Sequence, residues 1–78
     1  MKELIEYIAT SLVDDPTQVI VTQERFGSQI VLKLNVAKED MGRIIGKSGR
    51  VANAMRALLR VAAAQDGKRV TLDIVEPR

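Results

Sequence analysis

Residues 44–50 read IIGKSGR, and the role of this stretch decides both the fold and the function of the 78-residue chain. Its two glycines, Gly46 and Gly49, can take backbone conformations that other residues avoid, and they let a ligand approach the main chain closely. Such a stretch serves in three settings: a loop that holds the phosphates of a nucleotide, a loop that holds the backbone of a nucleic acid, or a plain turn between two helices. The surrounding sequence distinguishes these settings.

Basic side chains are concentrated around this stretch. Residues 41–65 hold five of the twelve Lys and Arg residues and none of the ten Asp and Glu residues. The rest of the chain holds seven basic and ten acidic residues. Residues 41–65 therefore carry a net charge of +5 and the remainder a net charge of −3, which together give the total of +2. This distribution favours a polyanionic partner, although arginines on an amphipathic helix can also be its solvated face.

The size and composition of the chain exclude several classes of protein. A chain of 78 residues with two prolines predicts one domain, residues 1–78, with few apolar residues to spare for a deep pocket. Cysteine and histidine are absent, which removes thiol nucleophiles, the usual zinc sites and the commonest general base. We therefore expect no enzyme, no cofactor, no metal and no small-molecule substrate.

Upstream of the glycine stretch, the hydrophobic pattern predicts one helix and two strands. The apolar run of the N-terminal segment is too short, and interrupted by too many acidic residues, for a signal peptide or a membrane span, which leads us to expect a cytoplasmic protein.

The first helix ends at residues 14–16, and its apolar face consists of Leu4, Ile5, Ile8, Ala9 and Leu12. Residues 18–23 and 28–36 are rich in β-branched side chains, and residues 24–27 supply the turn of a hairpin between these two strands.

Downstream, the pattern predicts two more helices and a last strand. A short helix starts near Lys38 and is closed by Gly46. Gly49 opens a third helix, on which Arg56 and Arg60 are interpreted as a solvated face or as part of a protein interface. The side chains of the third helix that are predicted to face the core are Val51, Ala54, Met55, Leu58, Leu59 and Ala62. A strand that ends before Pro77 follows, with Val70, Leu72 and Ile74 on its apolar side.

The order of these elements predicts an α+β fold. A connection of roughly thirty residues with two helices is long enough for a crossover, so the second and third strands can lie parallel and adjacent. The expected fold is α-β-β-α-α-β, a three-stranded mixed sheet with three helices on one face. The other face is expected to be polar and solvated, with Gln29, Lys33, Asn35, Arg69, Thr71 and Asp73.

The nucleotide-binding interpretation fails on spacing and context. A P-loop has four residues between its glycines and follows a strand, because its backbone N–H groups must curl around the phosphates. Residues 42–48, GRIIGKS, have three residues between the glycines and follow a predicted helix. A loop that holds a nucleic-acid backbone needs only the close approach that Gly46 and Gly49 allow, with charge from Lys47.

Residues 44–50 resemble the I-I-G-x-x-G core of the KH domain, whose GXXG loop holds about four nucleotides of a single strand. The predicted element order is similar to the type II arrangement of that fold. The resemblance implies that the loop and the start of the third helix hold phosphates, that basic side chains add charge, and that the outward-facing member of Ile44 and Ile45 supports bases. The candidate RNA-binding residues are Gly46, Lys47, Ser48, Gly49, Arg50, Arg43 and Ile45.

The resemblance covers essentially the whole chain. The short length, the EYI segment, the TLDI strand and the run IGKSGR to AMRALL are similar to the KhpA family of small bacterial proteins with a single KH domain. This resemblance implies regulatory or chaperone-like binding of single-stranded RNA, as a homodimer or as a heterodimer with a larger Jag-type KH protein. Tyr7 and Phe26 are the only aromatic residues, so we expect no aromatic stacking platform.

Two alternatives remain open. The glycines could be a helix cap and a linker, and the fold could serve as a protein-interaction adapter used mainly for dimerisation, with residues 61–64, VAAA, as a close-packing contact. The presence of both glycines and of Lys47 favours RNA binding.

Overall fold

The computed structural model describes residues 1–75 and confirms the predicted order of elements. The α-helices and β-strands are α1 (Lys2–Leu12), β1 (Ile20–Phe26), β2 (Gln29–Asn35), α2 (Met41–Ile45), α3 (Arg50–Gln65) and β3 (Arg69–Val75). Single turns of 3₁₀-helix occupy Pro16–Gln18, Lys38–Asp40 and Lys47–Gly49. Pro77, which the sequence places after the last strand, lies outside the described residues. Within residues 1–75, every helix is too short or too polar to cross a membrane.

The three strands form one mixed sheet in the order β1-β2-β3. β1 and β2 are antiparallel, with Val21 opposite Leu34. β2 and β3 are parallel, with Leu32 opposite Leu72, because the connection through α2 and α3 crosses over before the chain re-enters the sheet. β1 and β3 are therefore the two edge strands, and β2 lies in the middle.

The core lies between the sheet and the three helices. The alternation in β2 directs Ile30, Leu32 and Leu34 to the helical face, where each is at most 2% exposed. The helices cover these side chains with apolar residues, which include Ile5 from α1 and Ile44 from α2. Each fully buried aliphatic side chain stabilises the fold by about 1.5–3 kcal/mol relative to its exposed state. The predicted core face of β2 is confirmed.

The hairpin turn differs from the sequence prediction. β1 continues through residues 24–26, and Phe26 pairs with Gln29, so that the turn consists of Gly27 and Ser28 alone. The positive φ of Gly27, 62°, allows a two-residue turn whose twist matches that of the strands. The charged residues and the glycine within residues 24–27 predict the turn there, but a hairpin needs special backbone geometry only at its tip.

The face of α3 that meets the sheet also differs from the prediction. Its buried residues are Ala52, Met55, Leu59 and Ala63. The helical period predicts that Ala54 and Leu58 face the core, but Ala54 is exposed and Leu58 is 50% exposed. The helix is rotated by about one residue because Ala52 and Ala63 let its backbone approach the sheet more closely than larger side chains would. The rotation leaves Ala54, Leu58 and Val61 in solvent, and we call these three residues the outer stripe.

Candidate nucleic-acid interface

The loop from Gly46 to Gly49, the GXXG loop, joins α2 to α3 through an unusual backbone. Gly46 has φ 77° and ψ 171°, a region that only glycine occupies readily. Ser48 (φ 58°, ψ 26°) and Gly49 (φ 76°, ψ 13°) are both left-handed. A serine in this region is under strain that glycine or asparagine would avoid. The two positive-φ residues in succession turn the chain sharply from one helix into the next.

The two glycines of the loop are required for different reasons. A Cβ on Gly46 would lie 2.5 Å from Cγ2 and 2.9 Å from the backbone nitrogen of Val51, so the site has no room for a side chain. A Cβ on Gly49 would have space, because its nearest contact would be the side-chain amide nitrogen of Asn53 at 3.8 Å. Gly46 is therefore needed for close packing as well as for its dihedral angles, whereas Gly49 is needed for its dihedral angles alone.

The backbone N–H groups of the loop are only partly used. Gly49 donates to the Gly46 carbonyl oxygen at 3.1 Å, and Arg50 donates to the Lys47 carbonyl oxygen. Within residues 1–75, the N–H groups of Lys47 and Ser48 have no hydrogen-bond partner. Exposed backbone N–H groups in a tight turn attract anions. Donors available to an anion therefore lie at the tip of the loop, within the region that the sequence predicts to hold phosphates.

The candidate side chains of the loop lie around these donors. Lys47, Ser48 and Arg50 are exposed, and within the described part of the chain neither Lys47 nor Arg50 forms an ion pair. Ile45 is the isoleucine that faces outward, because it is 38% exposed whereas Ile44 is fully buried in the core. The tip of the loop therefore combines two free N–H groups, two uncompensated cations and one apolar side chain.

Arg43 lies in a different electrostatic environment. Its guanidinium contacts the Asp14 carboxylate at 2.5 Å and the Asp40 carboxylate at 3.4 Å. The hydrogen bond and the charge of Asp14 raise the pKa of Arg43 above its ordinary value. Asp40 is only 2% exposed and also accepts the backbone N–H groups of Asp14 and Asp15, at 3.0 and 3.2 Å. Arg43 thus joins α2 to the segment after α1, and its charge is compensated locally.

A groove of about 450 Å³ lies between α3 and the open edge of β3. It is lined by Asn53, Arg56, Leu59, Arg60, Val70, Thr71, Leu72 and Asp73. The side-chain amide of Asn53 would also lie 3.8 Å from a Cβ on Gly49, so this end of the groove lies beside the GXXG loop. The Arg56 side chain reaches from α3 to β3, where its Nε and Nη2 each donate to the Leu72 carbonyl oxygen at 3.3 Å.

The groove is the part of the site that the sequence analysis missed. The sequence predicts Arg56 and Arg60 as a solvated face or a protein interface; both are exposed, and both also line the groove. The predicted crossover gives one indication of this groove, because it makes the last strand an edge strand beside the helix that precedes it. That signal does not give the rotation of α3, which determines whether the arginines point toward β3 or away from it.

The unequal roles of the glycines can be tested by stability. We expect Gly46→Ala to lower the free energy of unfolding by more than about 2 kcal/mol, since the change adds a steric clash to backbone strain. Gly49→Ala should cost about 1–2 kcal/mol, the penalty for a left-handed residue alone. Urea denaturation followed by circular dichroism measures both values. Equal losses for the two variants would contradict the packing role of Gly46.

Comparison with known proteins places this geometry in a family. A family profile described as KhpA/KhpB, KH domain matches residues 2–74. The protein named RNA-binding protein KhpA of Clostridium acetobutylicum is 48% identical over 75 residues, which cover 96% of this chain and 100% of the relative. Its namesake in Listeria monocytogenes is 45% identical over 76 residues, with 97% and 100% coverage. The namesake in Chlamydia trachomatis is 44% identical over 78 residues, with 100% coverage of both.

The match runs through the helix-strand-strand-helix-helix-strand order, the mixed sheet and the loop between α2 and α3. It confirms the type II KH fold that the sequence predicted. The chain belongs to the KhpA/KhpB family of KH domains.

Proposed function

We propose that this protein binds single-stranded RNA, with a phosphate of the RNA held at the tip of the GXXG loop. The observation that carries the proposal is the pair of free N–H groups of Lys47 and Ser48, which lie beside two uncompensated cations at the mouth of a groove. The relatives bear the name RNA-binding protein, which supports the same activity here.

The loop suits a phosphate more than a base. The backbone N–H groups of Lys47 and Ser48 supply two directed donors, and the Lys47 ammonium adds a mobile charge. Arg50, in the first turn of α3, adds a second charge next to the loop. These groups hold the sugar-phosphate backbone irrespective of sequence, because phosphate contacts carry no base information. Arg43 has a smaller part than the sequence suggested, since Asp14 and Asp40 already compensate its charge.

The groove suits the bases that follow the held phosphate. Its floor includes Leu59, Val70 and Leu72, and its rim includes Asn53, Arg56 and Arg60. Ile45 adds apolar surface next to the loop, where it is 38% exposed. β3 is an edge strand, and the Leu72 carbonyl oxygen is already directed to Arg56 and away from β2. The groove therefore offers apolar contact together with polar groups from one strand edge.

Binding by one such domain should be weak and of low sequence specificity. The loop holds about four nucleotides in domains of this kind, and a single strand loses affinity with salt at a logarithmic slope of about −0.7 per phosphate contacted. A second RNA-binding domain on a partner would raise the effective concentration and the overall affinity. We therefore propose a regulatory or chaperone-like function in the cytoplasm, carried out by a dimer.

The outer stripe supports the dimer and the adapter role. Leu58 is 50% exposed and Val61 is 62% exposed, and both lie one turn apart on the outside of α3. We propose that this stripe meets a second copy of the chain or a larger Jag-type KH protein. Residues 61–64 cannot act as one contact surface, as the sequence suggested, because Ala63 is 1% exposed and packs in the core.

The RNA proposal predicts that Lys47→Asp/Ser48→Asp lowers the affinity for short single-stranded RNA at least tenfold, since it places acids beside the phosphate. Fluorescence anisotropy over a range of salt concentrations measures the affinity, with duplex RNA and ATP as competitors. The matched control is Lys2→Asp/Ser11→Asp, which makes the same charge change on α1 and should leave the affinity within about twofold. Equal loss in both variants, or no loss in the loop variant, would contradict the proposal.

The dimer proposal predicts that Leu58→Glu/Val61→Glu weakens self-association, or association with the Jag-type partner, at least tenfold, because it buries charge in an apolar contact. Sedimentation velocity measures the self-association, and circular dichroism checks the fold. Ile20→Glu is the control, since Ile20 is 56% exposed on β1, outside the outer stripe. Association that survives the double change and falls with Ile20→Glu would place the contact elsewhere.

A further inference from the structure

The groove beside α3 continues beyond the site described above. A second groove of about 460 Å³ is lined by Gln29, Arg60, Ala63, Lys68, Arg69, Val70 and Thr71. It shares Arg60, Val70 and Thr71 with the first groove, so the two form one continuous trough along β3. The trough starts beside the GXXG loop and ends at the turn between α3 and β3. This turn lies next to the β1–β2 hairpin, because the Arg69 N–H donates to the Ser28 carbonyl oxygen at 3.0 Å.

At this end of the trough, the sheet presents a row of three unlike side chains. The register places Phe26 opposite Gln29 and Gln29 opposite Arg69. All three alternate with the core residues of their strands, so they lie on the face of the sheet that no helix covers. Phe26 is 63% exposed. Two strand spacings, about 10 Å, separate Phe26 from Arg69, with Gln29 between them.

The charge of this region favours a polyanion. Three cations, Arg60, Lys68 and Arg69, line the second groove, and no acidic residue does. Among residues 1–75, none of these three cations forms an ion pair. By contrast, Lys33 in the middle of the same sheet face is paired with Glu24 at 3.5 Å. The uncompensated positive charge on this face of the sheet is thus concentrated at the hairpin end, where the trough ends.

We propose that the row Phe26-Gln29-Arg69 is a second nucleotide subsite, and that it binds a base of the same RNA strand after the strand leaves the trough. The inference rests on the proposed RNA binding. Lys68 and Arg69 hold the phosphate at the sheet edge, the base stacks on the exposed Phe26 ring, and the Gln29 amide donates to or accepts from the base edge. Stacking on an aromatic side chain tolerates all four bases, so the subsite adds affinity more than sequence specificity.

The subsite gives this domain a longer footprint than its GXXG loop alone. The loop accounts for about four nucleotides. Along the axis of α3, Gly49 and Ala63 are fourteen positions apart, about 21 Å at 1.5 Å per residue, and Phe26 lies about 10 Å beyond Arg69 on the sheet. We therefore expect a strand that reaches Phe26 to need more nucleotides than the loop holds. An RNA of four nucleotides should therefore use the loop and part of the groove, whereas an RNA of eight nucleotides should reach Phe26.

The experiment compares fluorescein-labelled single-stranded RNAs of four and eight nucleotides, with fluorescence anisotropy as the readout. The wild type should bind the longer RNA at least tenfold more tightly. Lys68→Gln/Arg69→Gln should remove most of that gain and reduce the salt slope for the longer RNA only, by about 0.7 for the one phosphate that these two residues hold. Phe26→Leu should weaken the longer complex about fivefold without changing the salt slope, since it removes stacking and no charge.

The matched control is Lys2→Gln/Lys33→Gln, which removes two charges outside the trough and should preserve the gain from the longer RNA. A longer RNA also offers more positions for binding, but this statistical gain is the same in every variant. The inference is overturned if the Lys68/Arg69 variant keeps the full gain, or if Phe26→Leu alters self-association instead of RNA affinity. Normal binding of the short RNA without a gain from the longer one refutes the subsite alone. A wild type that binds neither RNA refutes the proposed function and the subsite with it.

Discussion

The contact between Gly46 and Val51 is the constraint on which the rest of the site depends. With no Cβ on Gly46, the end of α2 lies directly against the first turn of α3, and a side chain there would approach Val51 to 2.5 Å. Ile44 is anchored in the core just before this contact, which leaves Ile45 at the surface. Because both helix ends are fixed, the short connection must use positive φ angles at Ser48 and Gly49, and this backbone leaves two N–H groups free.

The sheet provides the second fixed element of the site. The parallel pairing of β2 with β3 makes β3 an edge strand, and α3 runs back along it. A trough between a helix and an open strand edge follows from this topology. Its chemistry follows from the rotation of α3, which directs Arg56 to the Leu72 carbonyl oxygen and leaves Leu58 and Val61 outside. One helix therefore contributes to the core, to the groove proposed to bind RNA and to the proposed protein contact with three different faces.

Much of this arrangement could be predicted from the sequence because it depends on local periodicity. The alternation of Ile30, Leu32 and Leu34 identified the core face of β2, and the glycine spacing identified the loop. The rotation of α3 could not be predicted, because Leu58 and Leu59 are consecutive and two adjacent stripes fit the helical period equally well. The pairing of Arg43 with Asp14 was also inaccessible, since it joins residues far apart in the chain.

The sequence interpretation of the aromatic residues shows another limit of this kind. Two aromatic residues in the chain argue against a stacking platform of the usual sort, which uses several. The structure places Phe26 on the uncovered sheet face, opposite Gln29, which in turn lies opposite Arg69. The amino-acid composition gives only the number of aromatic side chains, whereas the pairing of the strands determines which side chains lie next to Phe26.

The most direct test of the account is an amide ¹H–¹⁵N NMR titration of the ¹⁵N-labelled protein with short single-stranded RNA. We expect the largest shifts at the backbone amides of Lys47 and Ser48, with smaller shifts along the trough and none on α1. This result would show that the free N–H groups at the loop tip hold the RNA backbone. Large shifts elsewhere with these two amides unmoved would contradict the account.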